Sequence, residues 1–168
     1  WEWGREGSPN VVVCAHGLTR QGRDFDTLAQ DLCSHDSDLR VVCPDVVGRG
    51  QSDWLADPMG YGVPTYVADI VTLLARLDAQ RLDWVGTSMG GLIGMGVASL
   101  AGAPIRRLVL NDVGPVIEWA ALVRIGSYLG LPLRYADLDE AADAAWASSK
   151  GFGAHTREQW LALTRPQF

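Results

Sequence analysis

Apolar positions along the first two thirds of the chain alternate between short unbroken runs and stretches where they recur every three or four residues. The run 11–15, all apolar and rich in valine, suits a strand covered on both faces, as in a parallel sheet. It ends at His16-Gly17. Phe25, Leu28, Ala29 and Leu32 then recur at helical spacing, which predicts an amphipathic helix over 24–32. A second strand over 39–43 runs into Pro44-Asp45-Val46-Val47-Gly48-Arg49-Gly50-Gln51-Ser52, whose glycines and proline mark a long loop. Val67, Ile70, Val71, Leu74 and Leu77 form one stripe of a helix over 65–77, with Thr65 as its expected N-cap. A strand over 82–85 passes through Gly86-Thr87-Ser88-Met89-Gly90 into a helix of small residues over 89–100, and one more strand, 107–110, closes on Asn111-Asp112-Val113-Gly114-Pro115. Strict alternation of strand and helix predicts an α/β fold, a mostly parallel sheet with helices on both faces.

Beyond Pro115 the pattern changes. No further β-branched run occurs, and three helical stretches follow: 117–129, 138–148 and one opening near residue 156 that carries Trp160 and Leu163. Asp137-x-x-Glu140 and Thr156-x-x-Gln159 have capping-box spacing, in which side chains satisfy orphan backbone donors at a helix start. The expected division is an α/β core over 1–114 and a helical segment over 115–168. No internal repeat or low-complexity stretch interrupts either part.

Composition narrows the class. A net charge of −6 over 168 residues, with basic residues scattered and adjacent only at Arg106-Arg107, argues against nucleic acid or an anionic membrane as partner and toward a small molecule. Cys14, Cys33 and Cys43 are odd in number and lack C-x-x-C spacing, so neither a disulfide framework nor a zinc site is expected. No apolar run approaches the roughly 20 residues needed to span a bilayer and no secretory leader opens the chain, which fits a cytoplasmic protein. The chain starts at Trp1 rather than Met, as expected of a processed or trimmed segment.

The chemistry concentrates at Gly86-x-Ser88-x-Gly90. A serine hydroxyl is a weak nucleophile and must be exposed, given a base, and provided with donors for the oxyanion formed on attack. Between strand and helix the turn must be so sharp that side chains flanking Ser88 would collide, and glycine removes the collision. Gly91 and Gly94 let the helix lie close to the sheet. The helix start aims free N–H groups at the serine, which makes the Met89 amide the first expected oxyanion donor. The second is the Leu18 amide, in the loop after the first strand beside His16 and Gly17. The glycine turn lacks the Lys-Ser/Thr ending of a phosphate-binding loop, so nucleotide binding is disfavoured.

Four segments, His16-Gly17 after an apolar strand, Asp45-x-x-Gly48-x-Gly50-x-Ser52, Gly86-Thr87-Ser88-Met89-Gly90-Gly91, and Leu108-Val109-Leu110-Asn111-Asp112, resemble the α/β-hydrolase superfamily, in particular its capped, serine-nucleophile branch of esterases and C–C hydrolases. The likeness covers most of the chain up to Pro115. It implies that Ser88 is the nucleophile, that the sheet shown is the N-terminal part of a larger one whose last strands are absent, and that residues after 115 begin a helical cap. Trp119, Tyr128, Trp146 and Trp160 would then line an apolar substrate pocket, or else serve the cap's own packing. In that family the triad acid and histidine come after later strands, so the chain is expected to end within the cap and to take its histidine from the missing C-terminal segment of the same protein. Only His155 follows Ser88, just before a capping box, where an ordinary helix-start role competes with that of base. His35 reads as a surface residue, and His16 as a shaper of the oxyanion loop. Asp112 is a candidate for the acid, against a role bonding backbone at the strand end; Asp45 is expected to brace its loop, and Arg49 and Ser52 have no assigned role.

Two functions follow. In one, the protein is a serine hydrolase of an apolar ester or related acyl substrate, working through an acyl-enzyme with no metal or organic cofactor, C–C cleavage remaining open. In the other, it is a catalytically silent hydrolase-fold module that binds a ligand or functions only when complemented, because an incomplete sheet leaves an unpaired edge that invites a partner.

Overall fold

A computed structural model describes residues 1–127, 129–130, 134–149, 151 and 153–168. Two compact units divide the chain, Trp1–Val116 and Ile117–Phe168. The first unit is built on five strands in the order β1-β3-β2-β4-β5: β1 (Glu2–Gly4), β2 (Asn10–Ala15), β3 (Arg40–Val42), β4 (Arg81–Thr87) and β5 (Ile105–Asn111). β2 pairs in parallel with β3 on one side and with β4 on the other, β5 runs parallel to β4, and β1 alone is antiparallel, against β3.

The pleat divides the central strands between two cores. Val11, Val13 and Ala15 of β2, with Leu82 and Trp84 of β4, bury against α2 (Val63–Leu77) and α3 (Met89–Ala98) through Tyr66, Ile70, Leu77, Ile93 and Val97. Val12 and Cys14, with Val41 and Cys43, face the opposite way and meet Phe25 and Ala29 at α1 (Asp26–His35). A strand sandwiched between helix layers has no polar face to show, which is why β2 reads as an unbroken apolar run. Cys14 and Cys43 are free and buried, and Cys33 is free and half-buried. A hydrogen bond with Cys14, together with burial, pushes the Cys43 thiol well above its ordinary range, so it is an inert core residue.

Several elements differ from the pattern-based expectation. The first helix starts at Asp26, after a 3-10 turn over Gly22–Phe25, and continues to His35. Thr65 is not the N-cap of its helix: the cap is Gly62, and Pro64 occupies the first turn, where a missing N–H and a preset φ cost nothing. β4 and β5 each extend to seven residues because their ends pair with neighbouring strands despite polar side chains.

The second unit holds α4 (Trp119–Gly126), α5 (Leu138–Ser148) and α6 (Arg157–Thr164). Asp137 caps α5 by accepting from Glu140 N at 2.9 Å, while the Glu140 carboxylate accepts from Ala136 N rather than from the Asp137 amide. Thr156 and Gln159 form the full reciprocal box at the start of α6. Trp160 is buried with Ala141 and Ala142 and meets Trp146 edge-on at 5.2 Å. Trp146 and Trp160 are therefore occupied in this unit's own packing; Trp119 is exposed, and Tyr128 lies outside the described residues.

Candidate active site

Strand order decides where a site can form. From β2 the chain moves outward to β3, then crosses back to β4 on the other side, so the crevice between β2 and β4 is the topological switch point of the sheet. Loops at the carboxyl ends of such strands diverge and leave room for a ligand. The loop after β2 carries His16, Gly17 and Leu18, and the turn after β4 carries Ser88.

Ser88 is the N-cap of α3 with φ 50° and ψ −113°, a conformation L-residues avoid, and it is half-buried rather than sealed in the core. Its amide donates to Asn111 O at 2.8 Å, and its carbonyl accepts from Gly91 N and Leu92 N. The bend is thus tied to β5 on one side and to α3 on the other. Asn111 adds a side-chain bond to Thr87 Oγ1 at 3.1 Å.

The flanking glycines are explained by different neighbours. A β-carbon on Gly86 would lie 2.5 Å from Gly91 N, so it is the turn itself that excludes one. On Gly90 it would overlap the Ala15 carbonyl of β2, so there the neighbouring strand is the obstacle, not the residue across the turn. Gly94 lies over the Trp84 indole, 2.6 Å from Cδ1 for an added β-carbon, and that indole donates to Gly90 O at 3.0 Å. Gly91 packs as closely on Val113, with Leu110 farther off, 3.2 Å from an added β-carbon. The first turn of α3 is held down onto β4 by the fully buried Trp84.

Across the crevice, Gly17 faces the serine: a β-carbon there would stand 3.8 Å from Ser88 Cβ. His16 is fully buried and bonded at both ring nitrogens, Nδ1 to Gly17 O at 2.8 Å and Nε2 to Val46 N at 2.9 Å. Because the Val46 amide can only donate, Nε2 is the acceptor and Nδ1 carries the proton. Burial lowers the His16 pKa, outweighing the Gly17 bond and the charges of Asp45 and Asp24 that raise it. A neutral histidine with both nitrogens occupied braces the loop and has no lone pair to offer a serine.

In the trans peptide between Gly17 and Leu18 the C=O and N–H point oppositely. Gly17 O is held by His16 Nδ1 and by Arg20 N at 3.1 Å, so the Leu18 N–H is directed away from both. Met89, first residue of α3, has no carbonyl one turn behind it to bond. Among the described residues neither amide has a protein acceptor.

Asp45 braces the following loop: its carboxylate accepts from Gly22 N at 2.7 Å, Gln51 N at 3.0 Å and the Trp1 indole at 3.0 Å, and its carbonyl accepts from Ser52 Oγ at 2.6 Å. Gly50, at φ 53°, leaves room for that carboxylate. Arg49 reaches back to the loop after β2, donating from Nε to Leu18 O at 3.0 Å. The sequence offered no signal for this contact, since the partner is a backbone carbonyl 31 residues away.

Three further candidates remain. Asp112 follows Asn111 at φ 56°, exposed, and among the described residues its carboxylate bonds no backbone group at the strand end. His35 is exposed at the end of α1. His155 belongs to the second unit, where it is exposed and stands 5.4 Å from the Trp160 ring. Among the described residues no cluster of three His, Cys, Asp or Glu side chains is arranged to hold a metal ion. A cavity of about 370 Å³ between the 44–53 loop and α2 has Ser52, Asp53 and Asp69 in its wall but not Ser88.

Residues 10–144 match the family model described as alpha/beta hydrolase fold. A 3-hydroxybutyrate-oligomer hydrolase of Cupriavidus necator is 59% identical over 162 residues, 96% of this chain and 54% of that protein. A 2-hydroxy-6-oxo-2,4-heptadienoate hydrolase of Pseudomonas putida is 35% identical over 109 residues, 62% of this chain and 37% of its own length. A crystal structure from Rickettsia typhi superposes with a TM-score of 0.91 at 36% identity, covering 98% of this chain and 57% of that one. The chain thus spans about half the length, or less, of the proteins it matches, and within that span it belongs to the α/β hydrolase fold family.

Proposed function

We propose that the full protein is a serine hydrolase of carboxylic esters, with oligomers of a short hydroxy acid such as 3-hydroxybutyrate as the substrate class. The observation that carries this reading is the pairing across the β2–β4 crevice: a serine in a strained, half-exposed bend, faced by a loop whose Leu18 amide has no protein acceptor among the described residues. The substrate class rests on the 59% identity to a protein named for 3-hydroxybutyrate oligomers.

Ser88 Oγ attacks the ester carbonyl carbon as its proton passes to a histidine supplied by residues outside this sequence, and the carbonyl π pair moves onto oxygen. The Leu18 and Met89 N–H groups hold that oxyanion. Collapse expels the alcohol, which takes the proton back from the histidine. Water repeats the sequence on the acyl-enzyme, freeing the acid and Ser88. In this reading residues 115–168 are the cap segment.

The test is fluorophosphonate labelling of the full-length protein, together with assays on p-nitrophenyl esters of graded chain length and on linear 3-hydroxybutyrate oligomers. Ser88→Ala is expected to abolish labelling and to lower kcat by roughly 10⁴-fold or more. Labelling that survives the substitution refutes the nucleophile; a wild-type protein that neither labels nor hydrolyses supports the silent binding module instead.

A further inference from the structure

We propose that Arg49 is a positioning residue for the oxyanion hole, holding the loop that carries the Leu18 donor; the proposal rests on the serine-hydrolase reading above. The 45–52 loop grips residues 16–18 at two points. Val46 N donates to His16 Nε2, and Arg49 Nε donates to Leu18 O. The first contact, through His16 Nδ1, sets the peptide between Gly17 and Leu18; the second sets the next one. A residue whose flanking peptides are both fixed has neither φ nor ψ free. Leu18 would otherwise turn readily, because it follows glycine and sits in a loop.

Only a guanidinium fits the place Arg49 occupies. While Nε serves Leu18 O, Nη1 donates to Val47 O and to Tyr66 Oη, both at 2.9 Å. Its plane is further held by the Tyr61 and Tyr66 rings, with Cζ 5.7 and 5.1 Å from their centroids. Three acceptors served in one plane by a rigid fork is a task an ammonium performs only in part. Tyr66 is buried in α2, so the position of Leu18 is referred through Arg49 to the rigid core and not to another loop. Arg49 touches neither the serine nor the expected oxyanion, so its effect has to appear as a less well-formed hole, not as a lost donor.

The discriminating measurement compares, in the full-length protein, a p-nitrophenyl ester with the matching thionoester. Sulfur is larger than oxygen and accepts hydrogen bonds weakly, so a well-formed hole favours the oxygen substrate and a loosened one discriminates less. One oxyanion donor is worth about 10²–10³ in kcat. Arg49→Met, which loosens such a donor without removing it, is expected to lower kcat for the oxygen ester by about 10- to 100-fold. KM should move less than about threefold, and the oxygen-to-sulfur ratio of kcat/KM should fall by at least about fivefold. Arg49→Lys should recover part of that ratio. Equal losses on both substrates, or a ratio within about twofold of wild type, overturn the proposal while leaving the nucleophile assignment intact. If Arg49→Met shows no cooperative thermal transition, Arg49→Lys carries the test, and an unchanged ratio in it is refuting. Ser88→Ala is run alongside: activity that persists there, or a wild-type protein inactive on both esters, removes the parent reading and this one with it.

Discussion

Replacing His16 by leucine tests whether the brace between the first two loops does what its bonds imply. The imidazole is fully buried, accepts from Val46 N at Nε2 and donates from Nδ1 to Gly17 O. Leucine fills a similar volume but makes neither bond. Gly17 O would keep Arg20 N as a partner, so the loss on that side is one hydrogen bond, about 1 kcal/mol. Val46 N would be left buried without an acceptor, at about 1–3 kcal/mol. His16→Leu should therefore cost about 2–4 kcal/mol at pH 7.5, read as a lower midpoint in urea with unchanged m-value. The pH dependence provides the sharper test. Burial lowers the His16 pKa below its ordinary value near 6.5, so below that pH the unfolded chain binds a proton that the native state resists. Stability from His16 is present above pH 6.5 and is lost as pH falls, with a slope from this group of at most about 1.4 kcal/mol per pH unit. The leucine variant has no such proton to bind. The stability gap between the two proteins should hold from pH 7.5 to about 6.5 and narrow from there to pH 5; a gap that stays constant throughout would show that burial does not hold His16 neutral, and the tautomer argument would fail.

Further outcomes follow from the same contacts. Gly86→Ala and Gly90→Ala must push α3 away from β4 or β2, costing about 1–3 kcal/mol or more and lowering Tm and esterase activity together, whereas Gly114→Ala, with open space around it, should stay within about 0.5 kcal/mol of wild type. Thr156→Ala removes the hydroxyl half of the capping box, leaving the Gln159 side chain on the backbone N–H of residue 156, and should destabilise α6 by about 1 kcal/mol, with Thr156→Ser restoring most of it; equal helix content and Tm in all three proteins would refute the cap.

The parts of this protein that could be read from the sequence are those whose causes are local. Gly86 is required by atoms five residues away, and Val11, Val13 and Ala15 report helices on their side of the sheet whatever those helices are. Capping boxes are equally short-ranged. Other features depend on pairing across distance. β1 escaped notice because three residues of an edge strand carry no usable period and take their conformation from β3. Thr65 has the residue type of an N-cap, and only the bond from Tyr66 N to Gly62 O shows that the helix has already begun and that its first turn contains Pro64. The reason for Gly90 was misread for the same cause, since the obstacle belongs to another strand. Arg49 shows the limit most plainly: it is a charge in a glycine-rich loop until the fold brings it to Leu18.

The backbone at Ser88 has a consequence for how such folds lose their function. A side chain held at φ 50° and ψ −113° costs of order 1–3 kcal/mol, a conformation glycine enters almost freely. Selection for stability alone would therefore favour glycine at position 88, and in the proposed serine hydrolase only the need for a hydroxyl there opposes it. A descendant that had abandoned catalysis for binding would gain stability by that one change, so the residue at this bend should record whether a lineage still performs the reaction.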